Sequence, residues 1–167
     1  QAREQGDGFV LDGAKLFGYN FNAADHCLVV ARTTPDSEGE AGLTLFIVDT
    51  QAKGISHTPL VTIAKDKQSE VLFENVYVAK EDVIGTPGEA WPIVEDMLDR
   101  GTVLLCAQML GAARKDIEMA FEYSQFREAF GIPIAAFQSV QHMCADMVVW
   151  VDGGDLLTYE ALWRIDQ

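Results

Sequence analysis

The sequence predicts an α+β protein, in which a β-barrel-like domain is followed by part of an antiparallel helical bundle. Residues 1–88 contain nine of the 14 glycines and several short β-rich segments separated by turn signals, which is typical of a small barrel or sandwich. Residues 89–167 instead carry apolar side chains at helical spacing. The turn-rich stretch Gly85-Thr86-Pro87-Gly88 separates the two textures, so we place the domains at 1–88 and 89–167.

Six segments of the first domain combine β-favouring side chains with flanking Gly, Asp or Pro residues. The stretch Leu11-Asp12-Gly13 lies at the end of the first segment, and because Asp-Gly accepts positive φ angles it predicts a hairpin turn. The predicted strands cover residues 8–12, 15–19, 27–32, 43–48, 54–58 and 70–78.

Two long helices are predicted in the second domain, over residues 89–123 and 137–165. The pair Gly153-Gly154 lies inside the second helix. Because a glycine costs a helix about 1 kcal/mol relative to alanine, we expect a kink at this pair. The flanking Asp152 and Asp155 are interpreted as solvated side chains.

The composition is that of a folded globular chain with a strong acidic balance. Of the 167 residues, 49% are hydrophobic and 23% are charged, and the net charge is −14. Because such a chain repels phosphate backbones and anionic lipid heads, we expect no nucleic-acid partner. No apolar run approaches the ~18 residues of a spanning helix, so we expect no membrane span.

The three cysteines, Cys27, Cys106 and Cys144, are odd in number and lack the spacing of a zinc site. This pattern indicates reduced thiols, with Cys106 and Cys144 on apolar helix faces in the core. We therefore expect no metal and a cytoplasmic protein, or one of the mitochondrial matrix if the source is eukaryotic. The chain also begins without Met and stops inside a predicted helix, so we interpret it as an internal piece of a longer protein.

The most informative stretch covers residues 123–141 and reads YSQFREAFGIPIAAFQSVQ. Taken singly, its residues have simpler explanations: Arg127 complements a helix dipole, Phe130 belongs to the core, and Gly131 caps a helix. As a whole, the string R-x-x-F-G-x-P-I-x-x-F-Q in a helix–loop–helix resembles the signature of acyl-CoA dehydrogenases, flavoproteins that desaturate acyl thioesters.

The resemblance implies an FAD cofactor that this loop reaches across a subunit interface. It places Arg127 against the pyrophosphate, and Phe130 and Gln138 against the rest of the cofactor. An arginine suits the first role because its guanidinium fork is always charged and matches phosphate oxygens bidentately.

A second match covers residues 11–25, which read LDGAKLFGYNFNAAD. It is similar to the family pattern in which an aromatic side chain and a hydroxyl line the flavin ring, and it assigns these roles to Phe17 and Tyr19. Both depart from the usual Trp and Thr or Ser, since Phe lacks the indole N–H and Tyr places its hydroxyl further out. The alternative is an ordinary amphipathic strand with an exposed tyrosine.

The catalytic base implied by the resemblance is Asp99, at the position where a minority of the family carries a Glu before an Arg. The reaction needs a base for the α-proton, ideally in a dry pocket that raises the pKa of a carboxylate. Arg100 is assigned beside the substrate. Three alternatives stay open: a Glu beyond residue 167 is the base, Asp99 belongs to a solvated acidic face with Glu95 and Asp96, or Asp99 only orients Arg100.

The function implied is FAD-dependent α,β-dehydrogenation of an acyl-CoA thioester, within a homotetramer or dimer of dimers that an electron-transfer flavoprotein reoxidises. An Asp as base suggests an alicyclic or aromatic-derived acyl group. Two alternatives are an acyl-CoA oxidase that uses oxygen, and a catalytically silent family member that binds acyl-CoA or flavin as a subunit or scaffold.

Overall fold

The computed structural model describes all 167 residues, which form two compact units, Gln1–Glu95 and Asp96–Gln167. Strands dominate the first unit and two long helices the second, which confirms the α+β class. None of the helices is both long and apolar enough to cross a membrane. The strands are β1 (Ala2–Gln5), β2 (Gly8–Tyr19), β3 (His26–Arg32), β4 (Leu43–Asp49), β5 (Ile55–Leu60), β6 (Gln68–Ala79), β7 (Val83–Ile84), β8 (Glu128–Ala129) and β9 (Ile132–Pro133); the helices are α1 (Trp91–Phe126) and α2 (Gln138–Ile165).

The first unit consists of two antiparallel sheets with the strand orders β1-β2-β6-β5 and β3-β4-β7. The main core contains side chains from both sheets, and the rings of Phe9 and Phe46 join them edge to face with centroids 5.3 Å apart. No strand is hydrogen-bonded into both sheets. The β-barrel-like expectation is therefore corrected to a pair of packed sheets without closure.

The predicted hairpin at Asp12-Gly13 is wrong, because both residues lie inside the single strand β2. Opposite them β6 carries an extra residue, since Leu11 pairs with Val76 but Gly13 pairs with Phe73. The Asp12 carboxylate accepts the Asn75 backbone N–H at 2.7 Å, which lowers the pKa of Asp12. Asp12 thus binds a bulge in the neighbouring strand instead of turning its own.

The outer face of the smaller sheet packs against the start of α1. Leu45, Ala90 and Val94 form a second apolar cluster, and the Ala90 N–H donates to the Leu43 carbonyl at 2.9 Å. The first turn of α1 consequently belongs to the first unit, which ends at Glu95.

The second unit pairs α1 with α2, and one glycine of the pair in α2 lies where the two helices touch. The helix runs from Gln138 to Ile165 through both glycines, so the pair does not break it, and the expected kink stays a prediction. A Cβ on Gly154 would lie 2.6 Å from a Leu110 methyl, whereas one on Gly153 would meet nothing within 4 Å. Gly154 therefore lets the helices approach.

Ion pairs join the same two helices. Arg114 lies 3.2 Å from the Asp152 carboxylate and also pairs with Asp155. Donating hydrogen bonds to these carboxylates, chiefly to Asp155, raises the pKa of the Arg114 guanidinium. The two aspartates thus bind the facing helix and are not merely solvated.

The cysteines are placed differently from the prediction. Within this chain Cys106 is exposed and Cys144 is half-buried. Cys27 is also half-buried, and burial raises the pKa of its thiol.

Candidate functional site

A tight hairpin connects α1 to α2 and carries the first group of predicted site residues. Strands β8 and β9 pair antiparallel, and the two residues between them, Phe130 and Gly131, have φ angles of 55° and 81°. Positive φ at both positions is typical of a type I′ turn. The Ile134 N–H donates to the Arg127 carbonyl at 2.8 Å and closes the base of the hairpin.

Phe130 lies at the tip of this hairpin and is 97% exposed. Its ring meets that of Phe137 edge-on, with centroids 6.2 Å apart. The simpler explanation of Phe130 as a core residue is therefore wrong for this chain. The hairpin instead presents an aromatic ring outward.

Arg127 is distinguished by its missing partners. The chain has six arginines, and Arg127 alone makes no side-chain hydrogen bond or ion pair, although the net charge is −14. Its exposed guanidinium remains available for an anion. The five arginines with partners are Arg3, Arg32, Arg100, Arg114 and Arg164.

Gln138 is the first residue of α2 and is exposed. Its amide makes no hydrogen bond within the chain, so both its donor and acceptor are free for a ligand. The structure thus brings Arg127, Phe130 and Gln138 onto one short helix–hairpin–helix segment.

Phe17 and Tyr19 lie in the first unit, at a bulge near the end of β2. Lys15 pairs with Val71 but Gly18 pairs with Ser69, so β2 carries one extra residue here. Phe17 is 66% exposed and Tyr19 is 67% exposed. The Tyr19 hydroxyl makes no hydrogen bond within the chain, which leaves it able to donate to a ligand.

Backbone conformation supplies a signal that sequence reasoning missed. Six residues other than glycine have positive φ, and only two of these are phenylalanines, Phe17 (62°) and Phe130 (55°). A bulky side chain in this region is uncommon and strained, and such strain concentrates at functional sites. The other four are the small or flexible polar residues Asn20, Asp36, Lys65 and Asn75.

The predicted catalytic pair lies in the second unit, near the start of α1. Arg100 Nε is 3.0 and 2.9 Å from the two carboxylate oxygens of Asp96, and Arg100 Nη1 is 3.5 Å from Asp166 Oδ1. Hydrogen bonding to Asp96 raises the pKa of Arg100. The partners of Arg100 are thus Asp96 and Asp166, so the hypothesis that Asp99 orients Arg100 by direct pairing is wrong.

Asp99 itself is exposed and makes no side-chain hydrogen bond or ion pair within the chain. Its carboxylate is free to act on a ligand. The helix face with Glu95 and Asp96 is acidic, but no three His, Cys, Asp or Glu side chains are grouped to hold a metal ion.

Comparison with known proteins identifies the family. The description "Acyl-CoA dehydrogenase, middle domain" matches residues 1–76 and "Acyl-CoA dehydrogenase, C-terminal domain" matches residues 88–167. Together they span nearly the whole chain, and the fold agrees. The chain belongs to the acyl-CoA dehydrogenase family.

Individual relatives differ in their stated chemistry. A 3-(aryl)acrylate reductase of Clostridium sporogenes and a cyclohex-1-ene-1-carbonyl-CoA dehydrogenase of Geobacter metallireducens are each 33% identical over 99% of this chain. The butyryl-CoA dehydrogenase structure from Megasphaera elsdenii superposes with a TM-score of 0.92 at 32% identity and 99% coverage of this chain. This chain spans 44% of the length of each of the three proteins.

The side chains at the motif positions fit an FAD cofactor. A dinucleotide presents a doubly charged pyrophosphate and flat aromatic rings, and Arg127 offers an unpaired guanidinium for the former. For the latter, Phe130 offers an exposed aromatic face on the same hairpin, and Phe17 and Tyr19 each offer one within the first unit.

Comparing Phe17→Gly with Phe17→Ala separates the strain at Phe17 from its ring. Both variants remove the ring, but only glycine occupies left-handed backbone without a Cβ penalty. We expect the full-length Gly variant to be about 1 kcal/mol more stable to urea than the Ala variant. Both should bind FAD equally weakly, by titration of apoprotein. Equal stability of the two variants would contradict the assigned strain.

Proposed function

We propose that the full-length protein carrying this chain is an FAD-dependent enzyme that dehydrogenates the α,β bond of an acyl-CoA thioester. One observation carries the proposal. The two strained, outward-facing phenylalanines and the one arginine without a partner all occupy positions that the family motif assigns to the cofactor.

In this proposal Arg127 binds the pyrophosphate of the FAD in a neighbouring subunit, with Phe130 and Gln138 against the remainder of that cofactor. Phe17 and Tyr19 contact the flavin ring, where the unpaired Tyr19 hydroxyl is a candidate hydrogen-bond donor. When bound, FAD supplies the acceptor for the hydride that leaves the β-carbon.

Asp99 is proposed to remove the α-proton. Its carboxylate is available for this role because Arg100 donates its hydrogen bonds to Asp96 and Asp166 instead. The proposed role of Arg100 is to shape this part of the site by holding α1 to the end of α2. A Glu beyond residue 167 is the competing base.

The proposed partners follow from the family resemblance. They are an acyl-CoA substrate, further copies of the subunit in a homotetramer or dimer of dimers, and an electron-transfer flavoprotein as oxidant. The Arg127 hairpin would then serve a neighbouring subunit's FAD.

The relatives include enzymes named for either direction of the reaction. A reductase of arylacrylates and a butyryl-CoA dehydrogenase act on the same kind of α,β bond in opposite directions. The cyclohexene-carbonyl relative adds an alicyclic substrate class.

The test is a visible spectrum of the full-length protein before and after anaerobic addition of butyryl-CoA, cyclohex-1-ene-1-carbonyl-CoA or an arylpropanoyl thioester. We expect a flavin band that bleaches with one of these thioesters. Hydrogen peroxide released in air would identify an oxidase, and a flavin band that no thioester bleaches would favour the silent alternative. A protein without flavin would contradict the proposal.

A further inference from the structure

The segment that presents Arg127 has one brace that involves a side chain. Its backbone bonds are local: the Arg127 N–H donates to the Tyr123 carbonyl at 3.0 Å, and the Ile134 N–H donates to the Arg127 carbonyl at 2.8 Å. The second bond joins Arg127 to the short 3₁₀ turn Ile134–Ala136 that precedes α2. The position of Arg127 therefore depends on the position of this turn.

Gln141 fixes that turn. Its Nε2 donates to the Ala135 carbonyl at 2.9 Å, reaching back from the first turns of α2 across the 3₁₀ residues. The Gln141 backbone N–H also donates to the Phe137 carbonyl at 3.1 Å, so the residue is itself held in the helix. No other side chain makes a hydrogen bond between residues 127 and 141.

We propose that Gln141 is a positioning residue that holds the Arg127–Pro133 hairpin in its anion-binding geometry. The chain of contacts runs from the Gln141 amide to Ala135, then through the Ile134–Arg127 bond to the guanidinium. The part of this inference that concerns FAD rests on the proposed function, whereas the brace itself does not.

A brace of this kind matters because the hairpin is strained. Phe130 occupies left-handed backbone at the tip, and the ladder of β8 and β9 contains only two residue pairs. So short a hairpin is marginally stable by itself. A side-chain hydrogen bond at its base therefore has a large effect on the fraction of time for which Arg127 is correctly placed.

The test replaces Gln141 by methionine in the full-length protein, with His142→Met as the matched control. His142 is the exposed neighbour on α2, and its side chain makes no hydrogen bond. Hydrogen exchange of the Ile134 amide in the apoprotein is the first readout, and the FAD dissociation constant is the second. We expect Gln141→Met to raise the Ile134 exchange rate and the FAD dissociation constant about fivefold each, as for the loss of one neutral hydrogen bond. His142→Met should change neither the exchange rate nor the dissociation constant.

A second variant, Gln141→Glu, keeps the side-chain shape but its carboxylate has no proton to donate at neutral pH. It should match the methionine variant, and it replaces that variant if methionine prevents folding. Unchanged Ile134 exchange in Gln141→Met and Gln141→Glu would overturn the inference. Faster exchange in a protein whose wild type binds no FAD would support the brace and overturn the proposed function.

Discussion

Asp99→Asn is expected to lower the rate of substrate-dependent flavin reduction by roughly 100- to 10,000-fold, the usual contribution of a general base. Asparagine has nearly the same shape but cannot accept the α-proton. FAD content should stay at the wild-type level, because the residues proposed to bind the cofactor are elsewhere. The measurement is anaerobic stopped-flow bleaching of the flavin band in the full-length protein.

Glu95→Gln is the matched control for Asp99→Asn, since it removes one exposed carboxylate from the same helix without touching the proposed base. It should leave the reduction rate within about twofold of wild type. If Asp99→Asn reduces its flavin as fast as Glu95→Gln, Asp99 belongs to the solvated acidic face. The base then has to be sought in the part of the protein after residue 167.

Arg127→Gln is expected to weaken FAD binding by roughly 10- to 150-fold, as for the loss of a hydrogen bond to a charged group. The FAD affinity of Arg127→Lys should lie between those of Arg127→Gln and the wild type, because lysine keeps the charge but loses the planar fork. Titration of apoprotein with FAD at two salt concentrations measures both effects, and the advantage of wild type should shrink at high salt.

Arg164→Gln serves as the control for Arg127→Gln. It removes an equally cationic, exposed side chain whose partner, Glu160, lies on the same helix. We expect unchanged FAD affinity in this variant. Full flavin occupancy in Arg127→Gln would contradict the pyrophosphate assignment, and equal losses in both variants would indicate a general effect of net charge.

The sequence predicts which site residues lie together only where a single long motif contains all of them. Arg127, Phe130 and Gln138 share one string of residues, so their grouping follows from chain connectivity. Asp99 and Arg100 are adjacent in sequence, yet the partners of Arg100 are Asp96, one helical turn away, and Asp166 at the end of α2. The second of these contacts joins residues distant in the chain, and no local pattern predicts it.

The strand errors have the same origin. Asp12-Gly13 is a typical hairpin-turn pair, but in the sheet both residues belong to the continuous strand β2. The neighbouring strand β6 carries a bulge, and the Asp12 carboxylate accepts a hydrogen bond from it. The strained backbone at Phe17 likewise lies at a bulge, where β2 has one more residue than the paired part of β6. Register is a property of two strands, so one strand's sequence does not specify it.

By itself the sequence determined the α+β class, the two long helices and the family. Helical periodicity and a long motif are local properties of the chain, so both can be recognised without knowing which residues are in contact. Only the tertiary structure decided that the sheets stay open, that Gly154 packs against Leu110, and that Arg127 alone among the arginines lacks a partner. Each of these three features depends on contacts between residues that are far apart in the sequence. The energies of burial and of ion pairing depend on those contacts, so the local sequence does not specify them.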